Sequence, residues 1–179
     1  RFIGTCLLSS YRELLARENN IELKPVVLFK SENIKLSNEN QKLFNETLQE
    51  LNSDDIIEFY NNVDKGDELF KYSIDFFKSN FKESYASILA KHIKIAFKDI
   101  YQLNANDEKE IKDYQIKLNT LEDKENTIRV IFAVDKLNEG WDVLNLFDIV
   151  RLGSATAKST ATTTTKEAQL IGRGARYFP

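Results

Sequence analysis

Three runs of this chain resist exposure to water. Val26-Val27-Leu28-Phe29 is apolar, β-branched and aromatic throughout, and the run from Ile128 to Val134 (IRVIFAV) and that from Phe147 to Leu152 (FDIVRL) are nearly so. A strand with a polar residue at every second position can leave one face wet. A strand without that alternation has to be covered on both faces, which is the habit of parallel sheets. Parallel neighbours need long crossovers, usually helical. The runs therefore predict an α/β fold: a parallel sheet flanked by helices.

The segments around the runs carry helical spacing. Cys6 to Glu18 reads as a short helix, closed by a polar Asn19-Asn20 break before Pro25. Residues 38–52 place Leu43, Phe44, Leu48 and Leu51 at helical intervals. Within 81–101, Tyr85, Ile88, Leu89, His92, Ile93, Ala96 and Phe97 fall on one face of an amphipathic helix. Residues 103–125 are charged and polar, predicting a solvated helix or an extended surface loop. Ninety-seven residues separate Lys30 from Ile128, more than one crossover requires. Residues 32–127 are accordingly expected to hold a mainly helical insertion within a single domain spanning 1–179.

Composition narrows the function classes. At 179 residues, with 42% hydrophobic and 30% charged residues, the chain can bury a core of its own. The net charge of −3 is unevenly spread: Arg151 to Pro179 carries +4 and the 150 residues before it carry −7. One anion-binding edge is expected, not a basic coat. Cys6 is the sole cysteine, which excludes a disulfide framework and a multi-cysteine zinc site and fits a reducing cytoplasm. It is expected to be a buried small hydrophobe. His92, on an apolar face without neighbouring ligand types, is expected to be a packed, hydrogen-bonded core histidine, and no metal site is predicted. No run approaches the ~18 apolar residues of a membrane span. Glu22-Leu23-Lys24 and Glu110-Ile111-Lys112 match the Glu-x-Lys half of a nuclease signature, but neither follows a strand bearing a partner aspartate. The chain starts at Arg1 without Met and stops at Pro179 directly after its most suggestive motif, and so reads as part of a longer polypeptide.

In a parallel sheet, ligands meet the loops that leave the carboxyl ends of the strands. Three polar elements are expected there: Lys30-Ser31, the segment AVDKLNEGWD running to Asp142, and the helix carrying Gln169, Gly172, Arg173 and Arg176. A Thr-rich stretch, residues 154–165, precedes that helix and reads as a mobile loop. Arg173 and Arg176, three apart, share a helical face and can fork onto phosphate oxygens. The same arginines could instead complement a helix C-terminus capped by glycine. Gly140 permits close backbone approach, and Asp142 can accept from a ribose hydroxyl or orient an arginine. Trp141 can stack or wedge into an interface.

The strand followed by AVDKLNEGWD, a further strand and QLIGRGAR resembles motifs V and VI of superfamily 2 helicases. The wording EGWD followed by GRGARYFP is similar to the Res subunit of type III restriction enzymes, and KPVVLFKS corresponds to motif IV. The resemblance covers residues 24–31 and 128–179. It implies a second RecA-like motor domain, with ATP and Mg²⁺ held mainly by a first motor domain of the same polypeptide. Arg173 and Arg176 would then be the catalytic arginine fingers, and Gly140, Asp142, Gln169 and Gly172 would contact nucleotide. Many family members have Arg before the motif V glycine, where this chain has Glu139. Lys30, Ser31, Asp135 and Lys136 are expected to contact the DNA backbone, and a modification methyltransferase subunit is an implied partner. No phosphate loop occurs in the chain, and Asp67-Glu68 and Asp107-Glu108 lie in polar surroundings unlike a Mg²⁺-binding strand end. The alternatives are the motor domain of another superfamily 2 DNA or RNA helicase and a non-catalytic, anion-binding α/β module.

Overall fold

The computed structural model describes residues 1–64, 66–105, 111–134 and 145–153. Its elements are, in chain order, α1 (Phe2–Glu18), β1 (Val26–Ser31), α2 (Ile34–Glu50), α3 (Ser53–Asn62), α4 (Glu68–Phe81), α5 (Tyr85–Ala96), β2 (Gln102–Asn104), α6 (Ile111–Asn119), β3 (Val130–Ala133) and β4 (Leu146–Leu152). They fall into two compact units. One comprises Arg1–Leu23 with Leu43–Asp99; the other begins with Lys24–Lys42 and resumes at Ile100.

The second unit holds the sheet. Its four strands run in the order β2-β3-β1-β4, and every pairing is parallel. All three apolar runs became strands, and β1 lies inside the sheet with all six residues buried. Side chains alternate between the faces. Val26, Leu28, Leu103, Ile131, Ala133 and Leu146 join Leu118 and Leu121, from α6 and the turn after it, in one apolar cluster. On the other face Phe29 and Phe132 stack with ring centroids 5.3 Å apart.

That second face also meets the start of α2. The Asn104 amide donates to Asn38 Oδ1 at 2.8 Å and Gln41 Oε1 at 2.7 Å, and Gln41 donates to Gln102 Oε1 at 3.2 Å. Helices thus flank both faces, an α/β arrangement consistent with the RecA-like architecture expected. The solvated reading of 103–125 needs correction on two counts. Gln102–Asn104 is an edge strand beside β3, and Leu118 and Leu121 are core residues. Three residues are too few to show a strand pattern among polar neighbours.

The first unit is helical. Helix α1 stops where the Asn19-Asn20 break predicts: Asn20 adopts φ 58°, its N–H donates to the Arg17 carbonyl at 3.0 Å, and that of Ile21 donates to the Ala16 carbonyl at 2.9 Å. This is the left-handed termination that asparagine tolerates. Asn52 opens α3 with a reciprocal cap, accepting from Asp54 N at 2.8 Å while Asp55 accepts from Asn52 N at 2.8 Å. Asp67 caps α4, accepting from Leu69 N and Phe70 N. The helix expected over 81–101 is shorter, because Lys82 turns to φ 51° at the end of α4 and α5 begins only at Tyr85. Cys6 is buried, as anticipated. His92 lies at the margin of the helical core, not within it, with Nε2 3.6 Å from Glu13 Oε2.

Aromatic edges fill this unit. Phe59 meets Phe70 at 5.1 Å, Tyr11 meets Phe76 at 5.2 Å, and Phe2 meets Phe44 at 5.3 Å between ring centroids. At Gly4, α1 lies tight against this packing: a Cβ there would stand 2.8 Å from Phe59 Cζ and 3.2 Å from Phe70 Cζ. Replacing Gly4 by Ala gains about 1 kcal/mol of helix propensity but forces packed rings apart, which typically costs about 1–3 kcal/mol. Gly4→Ala is therefore expected to lower stability by about 1 kcal/mol in urea unfolding, and a stabilised variant would show that the rings yield freely.

Candidate functional site

The candidate site is the carboxyl edge of the sheet, built outward from β1. Register places Lys30 level with Ala133 on β3 and with Arg151 on β4, and Ser31 level with Leu152. Residues level across parallel strands project to one face, so Lys30, Ala133 and Arg151 share a face at this edge. Lys30 is 5% exposed and Ser31 2%, whereas Arg151 is exposed. An ammonium is retained at such depth only where hydrogen-bond acceptors or negative charge meet it.

Ser31 is fixed by its own crossover. Its Oγ accepts from Asn40 Nδ2 at 3.0 Å, which leaves the hydroxyl proton to be donated elsewhere. Asn33 starts α2 immediately beyond the strand, its Oδ1 accepting from Leu36 N at 2.9 Å and its carbonyl from Ser37 N at 3.0 Å. The amino end of α2 thus follows directly on the carboxyl end of β1. Gly153, just past β4, is approached by Glu32: a Cβ there would lie 2.8 Å from Glu32 Oε1. Asn40, Glu32, Gly153 and Arg151 were not among the residues singled out from sequence. For Arg151 a signal existed, since a basic residue at the end of an apolar strand sits at the ligand edge by topology.

Of the predicted site residues, the structure places Lys30 and Ser31 together at this edge. Asp135, Lys136, Gly140 and Asp142 lie outside the described residues, as do Trp141, the Thr-rich stretch, Gln169, Gly172, Arg173 and Arg176. Among the described residues no group of three or more His, Cys, Asp or Glu could hold a metal ion, and no helix is long and apolar enough to cross a membrane.

Comparison with known proteins bears on the same question. The chain is 74% identical over 35 residues to the probable type III restriction-modification enzyme HindVIP Res subunit of Haemophilus influenzae. A short part of this chain is therefore similar to a Res subunit. The match covers 20% of the chain and 7% of that Res subunit. A family model named HI_1054_N and described as an N-terminal region matches residues 163–179. No solved structure matches the chain.

The opposite, amino edge of the sheet carries a second polar cluster, and its bonds join it to the frame. Asn145 Nδ2 donates to the Leu121 carbonyl at 2.7 Å and the Lys24 carbonyl at 3.3 Å. Asn126 accepts from Ile128 N at 2.9 Å and donates to the Lys117 carbonyl at 2.7 Å, closing the turn between α6 and β3. Lys24 Nζ donates to the Asn126 carbonyl, and Arg129 Nε donates to the Pro25 carbonyl at 3.2 Å. Burial pushes the Lys24 amine down to about 8, helped by the Arg129 guanidinium and opposed by Asp123.

The unfolded chain, with the ordinary value of 10.5, binds more protons than the folded chain between about pH 8 and that value. Below about pH 8 both states are protonated and the cost of the buried charge is fully present. Stability relative to Lys24→Met should therefore rise from about pH 8 to 10, by on the order of 1 kcal/mol given the solvent screening of a half-exposed group. Paired urea titrations at several pH values check this, and a constant difference between the two proteins would contradict it.

Proposed function

We propose that this chain is the second motor half of an ATP-dependent DNA translocase of the type III restriction kind. The observation that carries the reading is the 74% identity to a Res subunit over 35 residues, in a chain that also contains EGWD and GRGARYFP. The all-parallel sheet supports it, because the strand that leads into the EGWD segment ends at the same carboxyl edge as Lys30 and Ser31.

In this reading ATP and Mg²⁺ are gripped mainly by a first motor domain, which supplies the phosphate loop and the metal-binding acids. The present half contributes polar contacts. Arg173 and Arg176 reach the γ-phosphate and offset charge that develops in phosphoryl transfer, Gln169 and Gly172 shape that approach, and Gly140 and Asp142 lie toward the ribose. Lys30, Ser31, Asp135 and Lys136 hold the DNA backbone without reading bases, as a translocase must if it is to move. A modification methyltransferase subunit is the proposed protein partner, and the cytoplasm the proposed compartment.

A finger contributes charge to the transition state and little to the core. In a polypeptide carrying both motor halves, Arg173→Ala and Arg176→Ala should each lower DNA-dependent ATP turnover by about 10³-fold or more with the melting temperature unchanged. Steady-state kinetics decide it: full turnover in both variants would favour a helix-capping role for these arginines.

A further inference from the structure

The amine of Lys24 is a titratable group that the motor reading leaves unused. It is half-buried at the amino edge of the sheet, where its Nζ donates to the Asn126 carbonyl. That carbonyl is fixed. Asn126 N donates to the Asp123 carbonyl at 3.1 Å, its Nδ2 to the Lys117 carbonyl at 2.7 Å and to Thr120 Oγ1 at 3.1 Å, and its Oδ1 accepts from Ile128 N at 2.9 Å. The Lys24 backbone is held as well, because Asn145 Nδ2 donates to its carbonyl at 3.3 Å and Pro25 follows it. The acceptor that meets the amine is a neutral carbonyl, not a carboxylate. Burial, and then the Arg129 guanidinium, which is anchored by Nε to the Pro25 carbonyl at 3.2 Å, oppose protonation more strongly than Asp123 supports it.

We infer that Lys24 is a site of acyl modification, its amine taking an acyl group from a small acyl phosphate. A lysine becomes a nucleophile near neutral pH when burial or a neighbouring cation holds it as the free base. Both conditions meet here, and ionisation falls to about 8 from the ordinary 10.5. The free amine can donate one N–H to the Asn126 carbonyl and still present its lone pair. That lone pair attacks the acyl carbon, the carbon–oxygen bond to phosphate breaks, and the amine proton leaves with the phosphate as hydrogen phosphate. The positive field of Arg129 favours an anionic donor over a neutral or cationic one. The product suits the site: its amide N–H still donates to the Asn126 carbonyl, while the half-buried charge beside Arg129 is gone. The site is independent of the DNA and nucleotide contacts proposed above.

The test is peptide mass spectrometry of the folded chain incubated with acetyl phosphate over a pH series, with an unstructured lysine peptide in the same sample as reference. At about pH 8, Lys24 should be acetylated on the order of tenfold faster than the peptide, its larger free-base fraction outweighing the lower nucleophilicity of a weaker base. Its rate should level off above about pH 8, whereas that of an ordinary lysine rises to about 10.5. In denaturing urea the advantage should disappear, because it comes from the fold. Asp123 is exposed and supports protonation, so Asp123→Asn should keep the fold and move the plateau to lower pH. Acetylation of Lys24 no faster than that of the peptide, or a rate that climbs through about pH 10 in both proteins, would overturn the inference and leave the motor reading untouched.

Discussion

The double burial of β1 is the constraint on which the rest of the sheet depends. Its six residues are all covered, with Val27 and Phe29 on one face and Val26 and Leu28 on the other. At about 25 cal/mol per Å² of apolar surface, burying these four side chains gains on the order of 6–12 kcal/mol before chain entropy is counted. That gain requires a parallel neighbour on each side and helices across the faces. Moving the register by one residue would carry Phe29 away from its stack with Phe132 and turn Val26 and Leu28 out of their cluster. The hydrophobic pattern of one strand therefore fixes where its polar end emerges.

That outcome separates the two edges of the sheet chemically. At the amino edge, Asn126 and Asn145 bond backbone carbonyls and amides, so these polar groups serve the frame. At the carboxyl edge, Ser31 is held with a donor left over. Asn40 donates to Ser31 without consuming the hydroxyl proton, and Asn33 spends its side chain on starting α2. Lys30 and Arg151 bring positive charge to the same edge. The asymmetry follows from parallel topology, since every strand delivers its exit loop to one side.

Much of this was legible in the sequence, for reasons that can be traced to particular residues. Val26 to Phe29 and Ile128 to Val134 announced strands because uninterrupted β-branched and aromatic runs have few other uses. Asn19-Asn20 announced the end of α1 because asparagine tolerates the left-handed turn found there. Gln102–Asn104 was not legible: an edge strand of three residues held by amide side chains leaves no hydrophobic period. Leu118 and Leu121 were hidden by charged neighbours, and the break at Lys82 rests on a left-handed backbone turn at a lysine, a residue type that does not announce one. In the candidate site, Lys30 and Ser31 could be placed from the end of their strand. Asn40 and Glu32 could not, since their roles come from α2 folding back and from the approach of β4.

We propose that the carboxyl edge of this sheet faces a nucleotide held by another motor domain. It is tested most directly by a structure of the two-domain polypeptide bound to ADP and a planar mimic of the transferring phosphoryl group. The account predicts the Arg173 or Arg176 guanidinium within hydrogen-bonding distance of the mimic, with Gly140 and Asp142 on the ribose side. Both arginines turned to solvent or spent on their own helix terminus, with the edge carrying Lys30 and Ser31 directed away from the nucleotide, would contradict it.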